Sequence, residues 1–336
     1  MEILLILAGI YLFTFLLGKK LEKIRIPWIF AALLLGLILA AYNPFENVTS
    51  SEQFSLLANL GMYFLLFIIG FELDMKKLGK NKNFILRTTL FIILAEALIG
   101  SIMVHYIFDL SWGISILLAT SFATVGEAVL LPILDEFNLT KKKLGQTIIS
   151  VGVLDDFFEV ALIIIASILL GQKGGLSAVN IWGNISILII LFLLLLIFIE
   201  FKEFKLRFKY KNVNSFFVFV LFFLFAFVGL GSFAEAAPLG ALLGGIALRQ
   251  ILSGELVKKI ESELKTIAYA VFAPIFFVWV GLDVKWIDLT QGFDSSYLIN
   301  FILLVLLFTA VINLTKIVSS YLAGKDYLGR KQSILM

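Results

Sequence analysis

The sequence has no cysteine and one histidine, His105. The first absence excludes disulfides, thiolate metal sites and cysteine nucleophiles, and the second excludes a histidine-rich metal centre. Charge is scarce as well: 15% of the 336 residues are charged, against 61% hydrophobic. Mean hydropathy is +1.04. A soluble domain of this length could not hide that much apolar surface, so the composition indicates an all-α polytopic membrane protein whose solvent is the lipid bilayer. The net charge of +3 and the isoelectric point near 8.8 would suggest an acidic partner in a soluble protein. Here the loop positions of the basic residues account for both, and no nucleic-acid partner is implied.

Apolar runs read against the roughly 20 residues that cross a bilayer give about eleven transmembrane helices. The expected spans are 3–18, 27–42, 54–71, 84–107, 112–134, 144–170, 181–200, 214–232, 236–251, 265–282 and 297–323, within a single transmembrane domain, 1–336. The first reads as a span and not a cleavable signal, because Met1-Glu2 opens it without a basic stretch. Lysine and arginine fall on alternate loops. One set clusters at Lys19 to Arg25, Lys76 to Arg87, Lys141 to Lys143, Lys202 to Lys211, Arg249 to Lys265 and Lys325 to Lys331. The opposite loops hold only Lys173 and Lys285, and Lys316 lies inside the last helix. The positive-inside rule then puts the N-terminus outside and the C-terminus in the cytoplasm, in agreement with an odd helix count.

Two stretches echo two earlier ones. Gly61 to Lys76 (GMYFLLFIIGFELDMK) matches Ala270 to Lys285 (AVFAPIFFVWVGLDVK), and Pro27 to Ala40 matches Pro238 to Arg249. The offset is 211 residues both times, Pro27 to Pro238 and Gly70 to Gly281. By the charge pattern Asp74 faces the cytoplasm and Asp283 the outside, so the repeats are inverted: 27–170 as the first and 236–336 as an incomplete second. The same offset carries Glu127 and Asp155 beyond Met336, so the sequence reads as a C-terminally truncated form of a thirteen-helix protein.

The chemistry centres on Asp155 and Asp156, adjacent near the middle of the sixth span. Carboxylates at that depth are costly and mark an ion or proton pathway by default. Neighbouring carboxylates oppose each other's ionisation and titrate as a unit. Deprotonated, they offer oxygens to a hard cation, so protons and a monovalent metal ion, sodium or potassium, compete for one site at Asp156 and Asp155. Glu159 lies one turn further on the same side. In the fifth span, Thr120, Ser121 and Thr124 surround Gly126, a composition suited to a broken helix facing a cavity, and Glu127 follows as a gate, an extra ligand or a funnel charge. Lys316 needs a partner, for which the Asp pair is the obvious supply, or else reaches the nearby cytoplasmic face. Glu96, near the middle of the fourth span, has no evident basic partner in the sequence. His105 reads as an interfacial residue.

At these residues the sequence resembles the monovalent cation/proton antiporters, in the branch of Kef-type potassium efflux systems and NapA-like sodium/proton exchangers. The matching segments are Leu60-Gly61 through Phe71-Glu72-Leu73-Asp74, Leu144-Gly145-Gln146 to Val153-Leu154-Asp155-Asp156, Pro274-Ile275-Phe276-Phe277 through Gly281-Leu282-Asp283, and the Lys316 helix ending Tyr321-Leu322-Ala323. The resemblance implies an inverted-repeat antiporter fold with broken helices at the ion site, a homodimer in the plasma membrane and an elevator-like core. It implies that Asp156 carries the cation and proton and that Asp155 pairs with Lys316. Glu127 and Glu159 depart from it by adding acids, and the second broken helix and last helix fall beyond the sequence. The expected function is secondary exchange of sodium or potassium for protons, with no cofactor and no enzymatic step. The alternatives are an efflux system or cation channel on the same fold, or a non-transporting fragment. An intramembrane aspartyl protease is disfavoured, because adjacent residues on one helix diverge and no Gly-x-Gly-Asp occurs.

Overall fold

The computed structural model describes residues 2–24, 26–73, 82–123, 127–169, 178–200, 213–234, 236–252, 254–283 and 295–334. Among these every regular element is helical. In chain order they are α1 (Glu2–Lys23), α2 (Phe30–Ala41), the single turn α3 (Glu46–Thr49), α4 (Glu52–Glu72), α5 (Lys82–Phe108), α6 (Trp112–Ala123), α7 (Glu127–Glu136) and α8 (Lys143–Leu169). There follow α9 (Ala178–Glu200), α10 (Val213–Ser232), α11 (Ala237–Ile251), α12 (Gly254–Lys265), a π-helical stretch Thr266–Phe272, α13 (Ala273–Leu282), α14 (Ser295–Leu328) and α15 (Arg330–Ile334).

Each expected span contains helix, but not every helix is a full crossing. Among the described residues, five are long and apolar enough to span a membrane: Glu2–Lys23, Glu52–Glu72, Lys82–Phe108, Leu256–Leu282 and Leu303–Leu328. By contrast α2 has 12 residues and α11 has 15. At 1.5 Å per residue these reach only about 18 and 22 Å, short of a hydrocarbon core about 30 Å thick. The fifth expected span is occupied by two short helices, α6 and α7; residues 124–126 between them, including Thr124, lie outside the described residues.

The chain divides into two units. The first comprises Met1–Glu72, Leu131–Glu136 and Gly183–Ile287. Its centre is α4 packed on α11, with Phe67 and Phe71 of α4 and Leu242 and Ala247 of α11 wholly buried. The two backbones meet directly: a Cβ on Gly70 would collide with the carbonyl of Leu242, and one on Gly245 with that of Phe67. Beside this pair α2 packs on α13 with equal closeness, Gly36 against Val278 and Gly281 against Leu33. Such contacts suit a lipid environment, where small residues let helices approach and van der Waals packing supplies the association energy. The π stretch has a local cause. Pro274 has no N–H to offer the carbonyl of Ala270, so a regular α-helix could not close there. Tyr11 of α1 donates its hydroxyl to the Val271 carbonyl in this stretch at 2.7 Å.

The second unit comprises Leu73–Leu130, Phe137–Trp182 and Asp288–Met336. In it α5 packs against α6, α8 and α14. A tight turn joins α5 to α6: Asp109 takes φ 52°, His105 hydrogen-bonds the Leu110 carbonyl through Nδ1 at 2.6 Å, and its ring stacks on Trp112. The outer faces of α5 and α14 expose Leu94, Leu98, Leu306 and Leu314, as lipid-facing helices do.

Candidate functional site: buried carboxylates and lysines

In the second unit three helices are fastened together at one end. Lys143, at the start of α8, donates to the Tyr327 carbonyl near the end of α14 at 2.6 Å and lies over the Tyr327 ring. Phe84, near the start of α5, packs its ring on the opposite partner of this clasp, with centroids 4.1 Å from Tyr327. From the clasp, Asp155 is twelve residues along α8, Glu96 twelve along α5 and Lys316 eleven back along α14. At 1.5 Å per residue all three reach about the same depth, roughly 17–18 Å from the clasp. The clasp thus sets the register that brings the charged groups together.

The start of α8 is itself fixed by the residues just after Lys143. Gly145 sits so close to the Leu139 carbonyl that any Cβ would collide with it, and Gln146 donates from Nε2 to the Thr140 carbonyl at 2.6 Å. The Leu-Gly-Gln stretch is therefore a turn lock that aims the aspartate helix. The hydroxyls of Thr147, Ser150, Thr315 and Ser319 bond carbonyls four residues back on their own helices. These bonds satisfy them within the membrane without another helix.

At the level so defined, Asp155 is buried at 7% exposure. Lys316 Nζ lies 3.8 Å from Glu96 Oε2, whose side chain is 3% exposed. Neither Glu96 oxygen has a hydrogen-bond partner among the described residues. Asp155 lies within electrostatic reach of Glu96, and Asp155 and Lys316 both have partners besides Glu96. Two sequence expectations change. Glu96, which had no evident basic partner, faces Lys316, because α5 and α14 pack side by side. Lys316 lies further from its helix end than the expected span 297–323 implied: α14 continues to Leu328, and the ammonium, on a side chain 27% exposed, lies 3.8 Å from Glu96. Asp156, Glu159 and Glu127 lie on described helices, but their side chains are outside the described ones.

A second charged cluster, in the first unit, escaped the sequence reading. Lys265, the last residue of α12, places Nζ 2.5 Å from Glu72 Oε1, 2.7 Å from Asp135 Oδ2 and 3.9 Å from Glu261 Oε1. Tyr269, in the π stretch, donates its hydroxyl to Asp135 Oδ2 at 3.1 Å. Arg249 lies nearby in sequence on α11 and donates to the Phe71 carbonyl at 2.6 Å, covering the end of α4. Only the four-residue spacing of Glu261 and Lys265 was visible beforehand. Glu72 and Asp135 stand at or near the ends of α4 and α7, where charges are ordinary, and nothing in their spacing signals that one ammonium gathers both.

The family model for "Sodium/hydrogen exchanger, transmembrane" matches residues 7–336. The chain is 26% identical over 272 residues to the probable Na(+)/H(+) antiporter 3 of Methanocaldococcus jannaschii, covering 80% of this chain and 68% of that protein. It is 27% identical over 306 residues to the putative Na(+)/H(+) antiporter YjbQ of Bacillus subtilis, and there it spans 86% of this chain but about half, 48%, of the relative. Its fold is similar to that of the sodium proton antiporter MjNhaP1 from Methanocaldococcus jannaschii, with a TM-score of 0.65 at 19% identity, over 98% of this chain and 79% of the other. With a family match over nearly its whole length and the fold to accompany it, this multi-pass membrane protein belongs to the sodium/hydrogen exchanger family.

Proposed function

We propose that the chain exchanges a monovalent cation, sodium or potassium, for protons across the plasma membrane, using Asp155 and Asp156 on α8 as the site where the two compete. The observation that carries this reading is the convergence of buried Asp155, buried Glu96 and Lys316 at one depth on three packed helices. Buried ionisable groups in a spanning segment are too costly to hold unless they pair or work. Asp156 is the principal cation and proton carrier and Asp155 the residue that shares Lys316. Thr124, Glu127 and Glu159, which the sequence sets in the same two spans, supply further oxygens in this reading. Similar proteins are named for sodium/proton exchange and for potassium efflux, in keeping with either cation.

The same reading includes inverted repeats, 27–170 and 236–336, an outside N-terminus, a cytoplasmic C-terminus and a homodimer. Crossed packing supports the repeats: α2 of the first lies on α13 of the second, and α4 of the first on α11 of the second. Crossed packing of this kind follows when two copies are related by a pseudo-two-fold axis. The test is exchange in vesicles bearing the protein. Asp156→Asn is expected to abolish the dissipation of a pH gradient by added sodium or potassium, and undiminished exchange in that variant overturns the assignment. Cation flux without proton counter-movement would replace the antiporter with a channel.

A further inference from the structure

We propose that Glu96 is a second proton carrier of the exchange site, receiving Lys316 from Asp155 when a cation binds. The inference rests on the antiporter reading and adds to it the source of a proton. It starts from an anomaly. Glu96 is 5% exposed in the middle of a spanning helix, with neither carboxylate oxygen hydrogen-bonded among the described residues. Its ion pair with Lys316, at 3.8 Å, is longer than a hydrogen bond. A carboxylate so placed is stable in two conditions only: with a proton on it, or with the ammonium drawn fully onto it.

The neighbours allow both conditions. α5 packs against α6, α8 and α14. α14 presents Lys316, α8 presents Asp155, and α6 (Trp112–Ala123) carries no titratable side chain. One ammonium and a second carboxylate therefore both lie within electrostatic reach of Glu96. While the ammonium pairs with Asp155, Glu96 holds a proton. When sodium or potassium binds the aspartates, the cation replaces the ammonium at Asp155. Lys316 then needs another counter-ion in a medium that penalises a lone charge, and Glu96 supplies it by losing its proton.

The balance closes. In the proton-loaded site Asp156 and Glu96 are protonated, Asp155 is ionised and Lys316 is charged, for a net charge of zero. In the cation-loaded site three carboxylates are ionised, Lys316 remains charged and one cation is bound, for a net charge of minus one. Two protons leave for each cation, one from Asp156 and one from Glu96, and Lys316 changes partner without changing charge. A rival source for the second proton is Lys316 itself, and the two differ in outcome.

The experiment counts protons released per cation bound, in weakly buffered detergent solution, from a pH-indicator dye and radioactive sodium binding on the purified chain. Wild type is expected to release two protons per sodium. Glu96→Gln, which cannot hold a proton, is expected to bind sodium and release one, and Glu96→Asp to restore two. Lys316→Arg decides independently should Glu96→Gln not fold, because arginine does not deprotonate in proteins. Two protons from Lys316→Arg uphold the proposal, and one overturns it in favour of the lysine. Two protons from Glu96→Gln, or one from wild type, also overturn it. Failure of the underlying reading is separately visible: cation binding that survives Asp156→Asn, or binding of neither sodium nor potassium by wild type, removes the aspartate site as well.

Discussion

Lys265 holds three carboxylates, from α4, α7 and its own helix α12, with distances of 2.5, 2.7 and 3.9 Å. Glu72 is 3% exposed on its side chain, and Asp135 and Lys265 are each about a quarter exposed or less. Breaking a pair of this kind costs more than the pair contributes, because the acids remain buried after their nearest cation is removed. Lys265→Gln is expected to destabilise the protein by about 3 kcal/mol, read as a lower thermal midpoint in detergent. Tyr269→Phe removes a single hydrogen bond to Asp135 and is expected to cost about 1 kcal/mol. Equal effects from the two variants would mean that the ammonium is not the centre of the cluster. The contrast with Asp155 explains what a sequence can disclose at this scale. An acid in the middle of an apolar run is conspicuous alone, because its cost is set by its own segment. Glu72, Asp135 and Lys265 end their helices, where charges are ordinary, and their importance comes from a meeting of distant segments. Glu96 stands between these cases: its cost was legible and its partner was not.

Helices in this protein are joined by clasps and by bare backbone contact, and the two respond differently to substitution. The Lys143–Tyr327–Phe84 clasp sets register. Tyr327→Ala keeps the Lys143 bond to the backbone carbonyl but removes both ring contacts. It is expected to weaken cation-dependent thermal stabilisation, with a smaller change in the midpoint measured without cation. Gly281 stands where a Cβ would lie 2.6 Å from the Leu33 carbonyl and 2.7 Å from Gly36 Cα, both backbone atoms that cannot turn aside. Gly281→Ala is expected to force α13 from α2 at a cost of about 2 kcal/mol or more. Gly229→Ala, on α10 with nothing within 4 Å, should gain helix propensity of up to about 1 kcal/mol instead. A fall of equal size in both would refute the backbone contact. Periodicity and apolar length located the helices because each property is local. The shortness of α2 and α11 and the π stretch before Pro274 were hidden, whereas the break in the fifth span was signalled by the hydroxyl residues before Gly126. A short helix buried among others and a long one facing lipid have the same apolar composition.

The asymmetry of basic loops and the crossed packing of α2 with α13 and α4 with α11 bear on one question, the sidedness of the molecule. If the halves are inverted copies, the single turn α3 with Glu46 lies outside, and the turn before α8 with Lys142 lies in the cytoplasm. Both residues are exposed, so both are open to a reagent in water. The lack of cysteine makes the test clean, because a single introduced thiol is the only target for a maleimide in the protein. In intact cells a membrane-impermeant maleimide is expected to label Glu46→Cys and to leave Lys142→Cys untouched until the membrane is opened. The positive-inside rule supplies the energetic reason, since lysines such as Lys141 to Lys143 are retained on the cytoplasmic side during insertion. The opposite labelling pattern would reverse the orientation and leave the carboxylate site intact, because a site at mid-depth between inverted halves is open in turn to either side. Labelling of both positions in intact cells would put them on one face, and so overturn the odd number of crossings expected between them, 54–71, 84–107 and 112–134.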